Sequence, residues 1–237
     1  MFRIRIQNKK KCIWYCSAVV SFLLFLLLLG WTNHLANTQD AQQMAGRWSE
    51  KKDVAQISCF FSSKAEVTED TIQSFEYSLK NVLQEASITE TSENPSARLW
   101  VDAYSADGKI TLVNGKNTLD ANAIGIGGDF FMFHPLKLIT GAYFSGNDLM
   151  QDYCIIDQDA AWQLFGSNDV VGMTVYIGNV PHIVTGVVQR PDSRMDKAAG
   201  LNSTVVYVSY ETLSAYGTNN GINHYEIVMP NPVDEFA

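Results

Sequence analysis

Residues 12–31, CIWYCSAVVSFLLFLLLLGW, carry no charged side chain, and the eleven residues before them, MFRIRIQNKKK, carry five positive charges and no negative one. A twenty-residue apolar helix rises about 30 Å, the thickness of a bilayer's hydrocarbon core. Eleven of the twenty are Leu, Ile, Val or Phe, which together favour insertion by about 3–6 kcal/mol. Arg3, Arg5, Lys9, Lys10 and Lys11 resist translocation and predict a cytoplasmic N-terminus, with everything after Trp31 outside the cytoplasm. The apolar core exceeds the 7–15 residues usual in a cleaved signal, and GWTNHLANTQDA offers no good small-x-small site, so an uncleaved anchor is expected. Trp14, Tyr15 and Trp31 lie where aromatic rings favour the membrane interface.

Setting aside the five basic residues of the tail leaves 12 Lys+Arg against 25 Asp+Glu over residues 12–237, a net −13. An acidic outer portion excludes nucleic acid and anionic lipid as natural partners for it. Its length suffices for one domain, in one or two lobes, with a hydrophobic core of its own. Cys12 and Cys16 are one helical turn apart at the start of the span. Cys59 and Cys154 each sit in an apolar, strand-like run, and both one disulfide and two buried thiols are compatible with that placement.

The predicted organisation is a basic cytoplasmic tail (1–11), a transmembrane helix (12–31), a polar stalk (32–50) continuous with it, and an extracytoplasmic domain (51–237). DVAQISCFFS reads as a strand. VTEDTIQSFEYSLKNVLQEAS is an amphipathic helix capped by Thr68, with Ile72, Phe75, Leu79, Val82, Leu83 and Ala86 at helical spacing. A strand over Leu99–Tyr104 completes a βαβ or split βαβ unit. Asp107-Gly108 and Asn114-Gly115 read as hairpin turns, and AIGIGGDFF with FHPLKLITGAYF as an irregular connection. YCII is a strand, DQDAAWQLFG a helix stopped by Gly166, and MTVYIG and HIVTGVVQ a strand pair joined across Asn179-Val180-Pro181. PDSRMDKAAGLNS reads as a polar loop. STVVYVS is a strand, Ser209 caps a helix in YETLSAYG, and HYEIVMP is the last strand. Strands dominate the middle, so the class is α+β.

The ordered string GAYFSGND, YCIIDQDAAWQLFGSNDVVGMTVYIG and HIVTGVVQR, between Gly141 and Arg190, resembles the periplasmic core domain of MacB-like ABC transporter permeases, the family that includes FtsX- and LolC-type proteins. The matching positions are Gly141, Phe144, Leu164, Phe165, Gly166, Val171, Gly172, Val175, Ile177, Val184, Gly186 and Val187. Each has a structural reason as well: glycines for turns and close approach, apolar residues for a core. The resemblance implies a βαβ porter-like lobe with a strand-rich second lobe in a bacterial membrane protein. It also implies a cytoplasmic ABC ATPase subunit, a second permease copy forming a homodimer, contact with membrane lipid, and an extracytoplasmic partner protein. The implied role is mechanotransmission: ATP-driven movement of membrane helices reaches the outer domain, for export or efflux. Relatives continue into three more membrane helices, whereas this sequence stops after PNPVDEFA, so a truncated permease is expected.

No catalytic constellation, cofactor motif or metal-ligand spacing is found. There is no G-x-x-x-x-G-K-[ST] and no G-x-S-x-G, and His34, His134, His182 and His224 stand singly. Gly125-Ile126-Gly127-Gly128-Asp129 is read as a turn rather than a dinucleotide loop. Ser145-Gly146 and Ser167-Asn168 are turn residues. Asp157 and Asp159 are helix-capping acids, and Asn202-Ser203-Thr204 is a formal glycosylation site. The reading is therefore a non-catalytic permease component; the alternative is a single-pass membrane-anchored binding or sensor protein that uses the same fold without an ATPase.

Overall fold

The computed structural model describes residues 9–37, 40–49, 53–88, 98–190, 198 and 203–231, and divides into two units, 1–43 and 44–237. The first unit holds the helix α1 (Lys9–Asn37) and a 3-10 turn at Asp40–Gln43. Ile13–Leu35 of α1 is exposed along its whole length, apolar on every side and long enough to cross a membrane. Such a helix has no amphipathic stripe. The segment expected to be stalk is shared between the units. Its last part forms α2 (Met44–Trp48), whose Met44 is 2% exposed in the core of the second unit.

The second unit begins with β1 (Val54–Phe60), α3 (Glu69–Glu85) and β2 (Val101–Asn114). Both strands lie antiparallel to the final strand β10 (His224–Pro230), which sits between them. β1 and β2 are therefore parallel with one strand inserted, a split βαβ unit. Thr68 starts α3: its hydroxyl lies 3.2 Å from that of Thr71, and Glu69 and Asp70 occupy the first turn, where the helix dipole favours acids. Ile72, Leu79 and Leu83 bury against Tyr225, Ile227 and Met229 of β10, whereas Phe75 and Val82 of the expected stripe are largely exposed. The opposite face of the sheet packs Val101, Ala103 and Val228 against Met44 and the phenylalanines of the short helix α4 (Phe130–Phe133).

β2 continues past this lobe. It pairs along its length with β3 (Asn117–Gly128) around Asn114-Gly115, the turn expected there. β3 pairs in parallel with β8 (Val205–Ser209), β8 with β5 (Tyr153–Asp157), and β5 in parallel with β7 (Val180–Val188). β7 pairs with β6 (Thr174–Ile177), and β6 returns to β2 through Leu112–Ile177 and Val113–Tyr176. The ring β2-β3-β8-β5-β7-β6 is closed, a barrel without free edges. Alternate residues point inward: Ile110 and Leu112, Ala121 and Ala123, Cys154 and Ile156, Val175 and Ile177, Val206 and Val208. α5 (Gln158–Phe165) and α6 (Tyr210–Tyr216) add Ala160, Ala161, Leu164 and Leu213 to this core. β4 (Leu138–Gly141) extends the sheet beside β7, and β9 (Thr218–Asn219) beside β2.

Several expectations are corrected. Asp107-Gly108 is not a turn but mid-strand in β2, paired with Ile124 and Ala123; a Cβ on Gly108 would lie 2.3 Å from the Thr218 carbonyl, so glycine there admits β9. Gly125, Ile126, Gly127 and Gly128 are β3, not a turn: α6 and the Tyr104 ring lie directly on the glycine backbone. The β6–β7 turn is Gly178-Asn179, both at positive φ (56° and 67°), and Val180 and Pro181 already belong to β7, as a two-residue hairpin demands. Most of the expected 191–203 loop lies outside the described residues, as do residues 1–8 of the basic tail and Asn202 of the glycosylation triplet. Cys59 and Cys154 are free thiols in different cores, and burial pushes the Cys154 thiol up to about 12.

Candidate functional site

The sequence-singled residues gather mostly around the strands flanking α5. Asp157 caps α5, its Oδ1 accepting from the Ala160 amide at 2.8 Å, and Gly166 ends it in the left-handed conformation (φ 73°). The Leu164 carbonyl, otherwise orphaned at the helix end, accepts from the side-chain amides of Asn114 (3.0 Å) and Asn117 (2.9 Å). α5 is thereby tied to the β2–β3 hairpin. Leu164 is 1% exposed in the barrel core, and Phe165 packs against it. The Gly172 amide donates to the Val184 carbonyl at 2.8 Å, and Val184 donates back to Met173 at 2.9 Å.

Gly141 and Gly186 face one another across β4 and β7. A Cβ on Gly141 would lie 2.1 Å from the Thr185 carbonyl and 2.7 Å from Gly186 Cα. Register slips by one residue in β7 between Val184 and Gly186, leaving Thr185 as a bulge whose hydroxyl reaches the Cys154 carbonyl at 3.3 Å. Phe144 stands apart from this group. It packs edge-on against Phe131, 5.7 Å between ring centres, in the core beneath the split sheet. The motif thus builds joints between strands and helices, and its residues line neither of the two cavities described below.

Polar groups do converge elsewhere, in pairings that the sequence did not show. Arg190 bonds Asp157 Oδ2 at 2.9 Å and Asp159 Oδ2 at 2.5 Å, so Asp159 is an ion-pair partner as well as a first-turn acid. Asp157 Oδ2 also accepts from the Val205 amide at 3.1 Å. This network borders a cavity of about 760 Å³ that also touches Tyr207, Leu136 and Lys137. On the α4 face of the split sheet, Glu226 accepts from Ser58 Oγ at 2.9 Å and meets His134 Nε2 at 2.5 Å. Burial raises the Glu226 carboxyl, but the His134 and Ser58 hydrogen bonds and the nearby histidines outweigh it, and the net shift is downward. His224 lies beside this pair, its ring 6.3 Å from His134 and 4.2 Å from Phe60, and burial lowers its pKa. Two of the four single histidines are thus neighbours in space. His182 is 1% exposed, held by the Val180 carbonyl and Thr212 Oγ1, and lowered by desolvation. Among the described residues no group of His, Cys, Asp and Glu has metal-holding geometry.

On the α3 face, Glu76 and Asp102 line one cavity, and Tyr225 donates to Asp102 Oδ2 at 3.1 Å. Burial first, then the Asp102 charge and hydrogen bond, raise Glu76 to about 7; burial also raises Asp102. The signals for both were present. Glu76 falls on the Ile72–Leu79–Leu83 stripe, and Asp102 alternates with Trp100 and Tyr104. Arg47 of α2 donates to the Met132 carbonyl at 2.6 Å and the Phe133 carbonyl at 3.4 Å, capping the end of α4 across 85 residues of chain.

The family described as the MacB-like periplasmic core domain matches residues 20–235. The chain belongs to this family. Curated relatives include the macrolide export ATP-binding/permease protein MacB of Chromobacterium violaceum, 32% identical over 99 residues, which are 41% of this chain and 15% of that protein. The Pasteurella multocida protein of the same name is 30% identical over 98 residues, 40% of this chain and 14% of the relative. The match thus spans only about one seventh of the length of these relatives. Among solved structures, the periplasmic region of MacB from Actinobacillus actinomycetemcomitans is 24% identical, covering 59% of this chain and 63% of that one, with a TM-score of 0.43. The extracellular domain of the transporter YknZ from Gram-positive bacteria is 21% identical over 73% of this chain and 82% of that one, with a TM-score of 0.45. A MacB-like core domain behind one bilayer-length helix fits a membrane protein whose bulk lies outside the cytoplasm.

Proposed function

We propose that this chain is the extracytoplasmic core domain and first membrane helix of an ABC transporter permease. In this reading the basic tail is cytoplasmic, an ABC ATPase subunit binds on that side, and a second permease copy completes the transporter. The chain itself performs no catalysis. It transmits ATP-driven helix movement to the outer domain, which acts on an export substrate or an extracytoplasmic partner. The observation that carries the reading is the family match over 20–235, which begins inside the apolar helix and runs through both lobes.

The segment after α1 supports the mechanical part. α2 is only five residues long, yet Met44 is buried and Arg47 grips the carbonyl end of α4. α4 in turn places His134 against Glu226 of the central strand β10. A displacement entering at α2 therefore meets hydrogen bonds and packed rings rather than a slack linker.

The test is co-purification from native membranes, followed by ATP turnover. The expected result is recovery of an ABC ATPase whose ATP-dependent protection of α2 and α4 from hydrogen exchange is lost when Ala41→Pro is introduced. Recovery of the chain without any ATPase would favour the membrane-anchored binding protein. An ATPase whose exchange pattern ignores Ala41→Pro would remove the coupling role.

A further inference from the structure

A second cavity, of about 540 Å³, opens between α3 and the α3-facing side of β2. Trp100 and Tyr104 give it aromatic wall, Ile88 and Leu99 aliphatic wall, and Glu76 and Asp102 line it from opposite elements. The volume and the mixture of apolar wall with a few convergent polar groups are those of small-molecule sites. The charges around it are unequal in availability. Arg98 is held by Asp129 through two bonds, 2.6 and 3.3 Å, so its charge is matched. Lys80 is exposed at the rim, where water screens it. Glu69, on the first turn of α3, acts on Tyr104 and adds negative charge. Tyr225, from β10, donates to Asp102 and remains neutral, its pKa raised by burial.

We propose that this cavity binds an organic monocation of modest size, its charged end against the Glu76–Asp102 carboxyls and its body against Trp100 and Tyr104. Aromatic faces attract a cation that is partly desolvated, and two carboxyls give it a counter-charge in the same wall. In the free protein burial first, and then the Asp102 charge and hydrogen bond, keep Glu76 protonated up to about pH 7. A cation seated against the pair favours the ionised carboxyls, so the proton leaves as the ligand enters. Binding is then coupled to proton release and weakens as pH falls below about 7. The site does not depend on ATPase coupling, and its failure leaves the permease reading untouched.

The experiment is isothermal titration of the full chain in detergent with benzyltrimethylammonium, with benzyl alcohol as the neutral comparison. The expected result is saturable one-site binding at pH 8, at least tenfold tighter for the cation than for the alcohol. The dissociation constant should rise roughly tenfold for each pH unit below 7, with buffer-dependent heats showing proton release. Asp102→Asn should weaken the cation at least tenfold. Glu76→Gln, at a half-buried position, should flatten the pH dependence without unfolding the lobe, and keeps the test valid if Asp102→Asn fails to fold. Lys80→Gln should tighten binding about twofold. Equal binding of alcohol and cation, a pH-independent constant, or no saturable heat at millimolar probe would each overturn the proposal.

Discussion

Gly141 and Gly186 pair across β4 and β7, where a Cβ on Gly141 would run into the β7 backbone. Gly141 combines a φ of +87° with no room for a Cβ, so Gly141→Ala should cost about 3 kcal/mol or more, visible as a large fall in melting temperature. Gly186→Ala meets only the Ala142 carbonyl and Leu138 at 3.0 and 3.1 Å and should cost about 1 kcal/mol, so the pair separates strain from crowding. The Glu76 carboxyl gives a pH signature. Its folded pKa of about 7 exceeds the ordinary 4.5, so between those values the folded state holds more protons than the unfolded one. Stability from this group is full below about 4.5 and is lost as pH rises through 7. Solvent screening at a half-buried side chain limits the effect to about 1 kcal/mol. Urea unfolding at pH 5 and pH 8, with Glu76→Gln as the flat comparison, reads it directly.

At the scale of elements, Arg47 supplies the hydrogen bonds between α2 and the end of α4, beside the packing of Met44. Arg47→Ala should cost about 1–2 kcal/mol by stranding the Met132 and Phe133 carbonyls, and should speed hydrogen exchange at residues 130–134 before any other segment. Leu164→Ala, by contrast, should open a cavity in the barrel core and cost about 2–5 kcal/mol. The sequence made elements with local logic visible: the capped, periodic α3, the α5 bounded by Asp157 and Gly166, and the turn at Asn114-Gly115. It misled where glycine marks tertiary approach. Gly108 and Gly125 look like turn residues because the β9 and α6 atoms that exclude a side chain come from 85 or more residues away. The convergent groups at Glu76–Asp102 and His134–Glu226 were hidden for the same reason, since each pair joins two elements that only the folded sheet brings together. Their one local trace is an acid on an otherwise apolar stripe.

At the scale of the whole second unit, β2 belongs to both lobes: its first half lies beside β10 in the split sheet, and its second half closes the barrel through β6. Barrel closure was not legible in the sequence because the β6–β2 seam is only two residue pairs long. The lobes share a backbone, so they cannot hinge freely without bending one strand. The place of β10 has a consequence for synthesis. The N-terminal lobe's middle strand is written last, between β1 and β2 but at residues 224–230. When β2 is complete at Asn114, that lobe still lacks its centre, and at about 5–20 residues per second the ribosome needs roughly 6–23 s more to supply it. Throughout that interval β1 has no strand partner and the β10-facing edge of β2 stays open, although β3 pairs with its other edge. A lobe that cannot close early stays threadable until its middle strand has been made, which suits the extracytoplasmic placement proposed above.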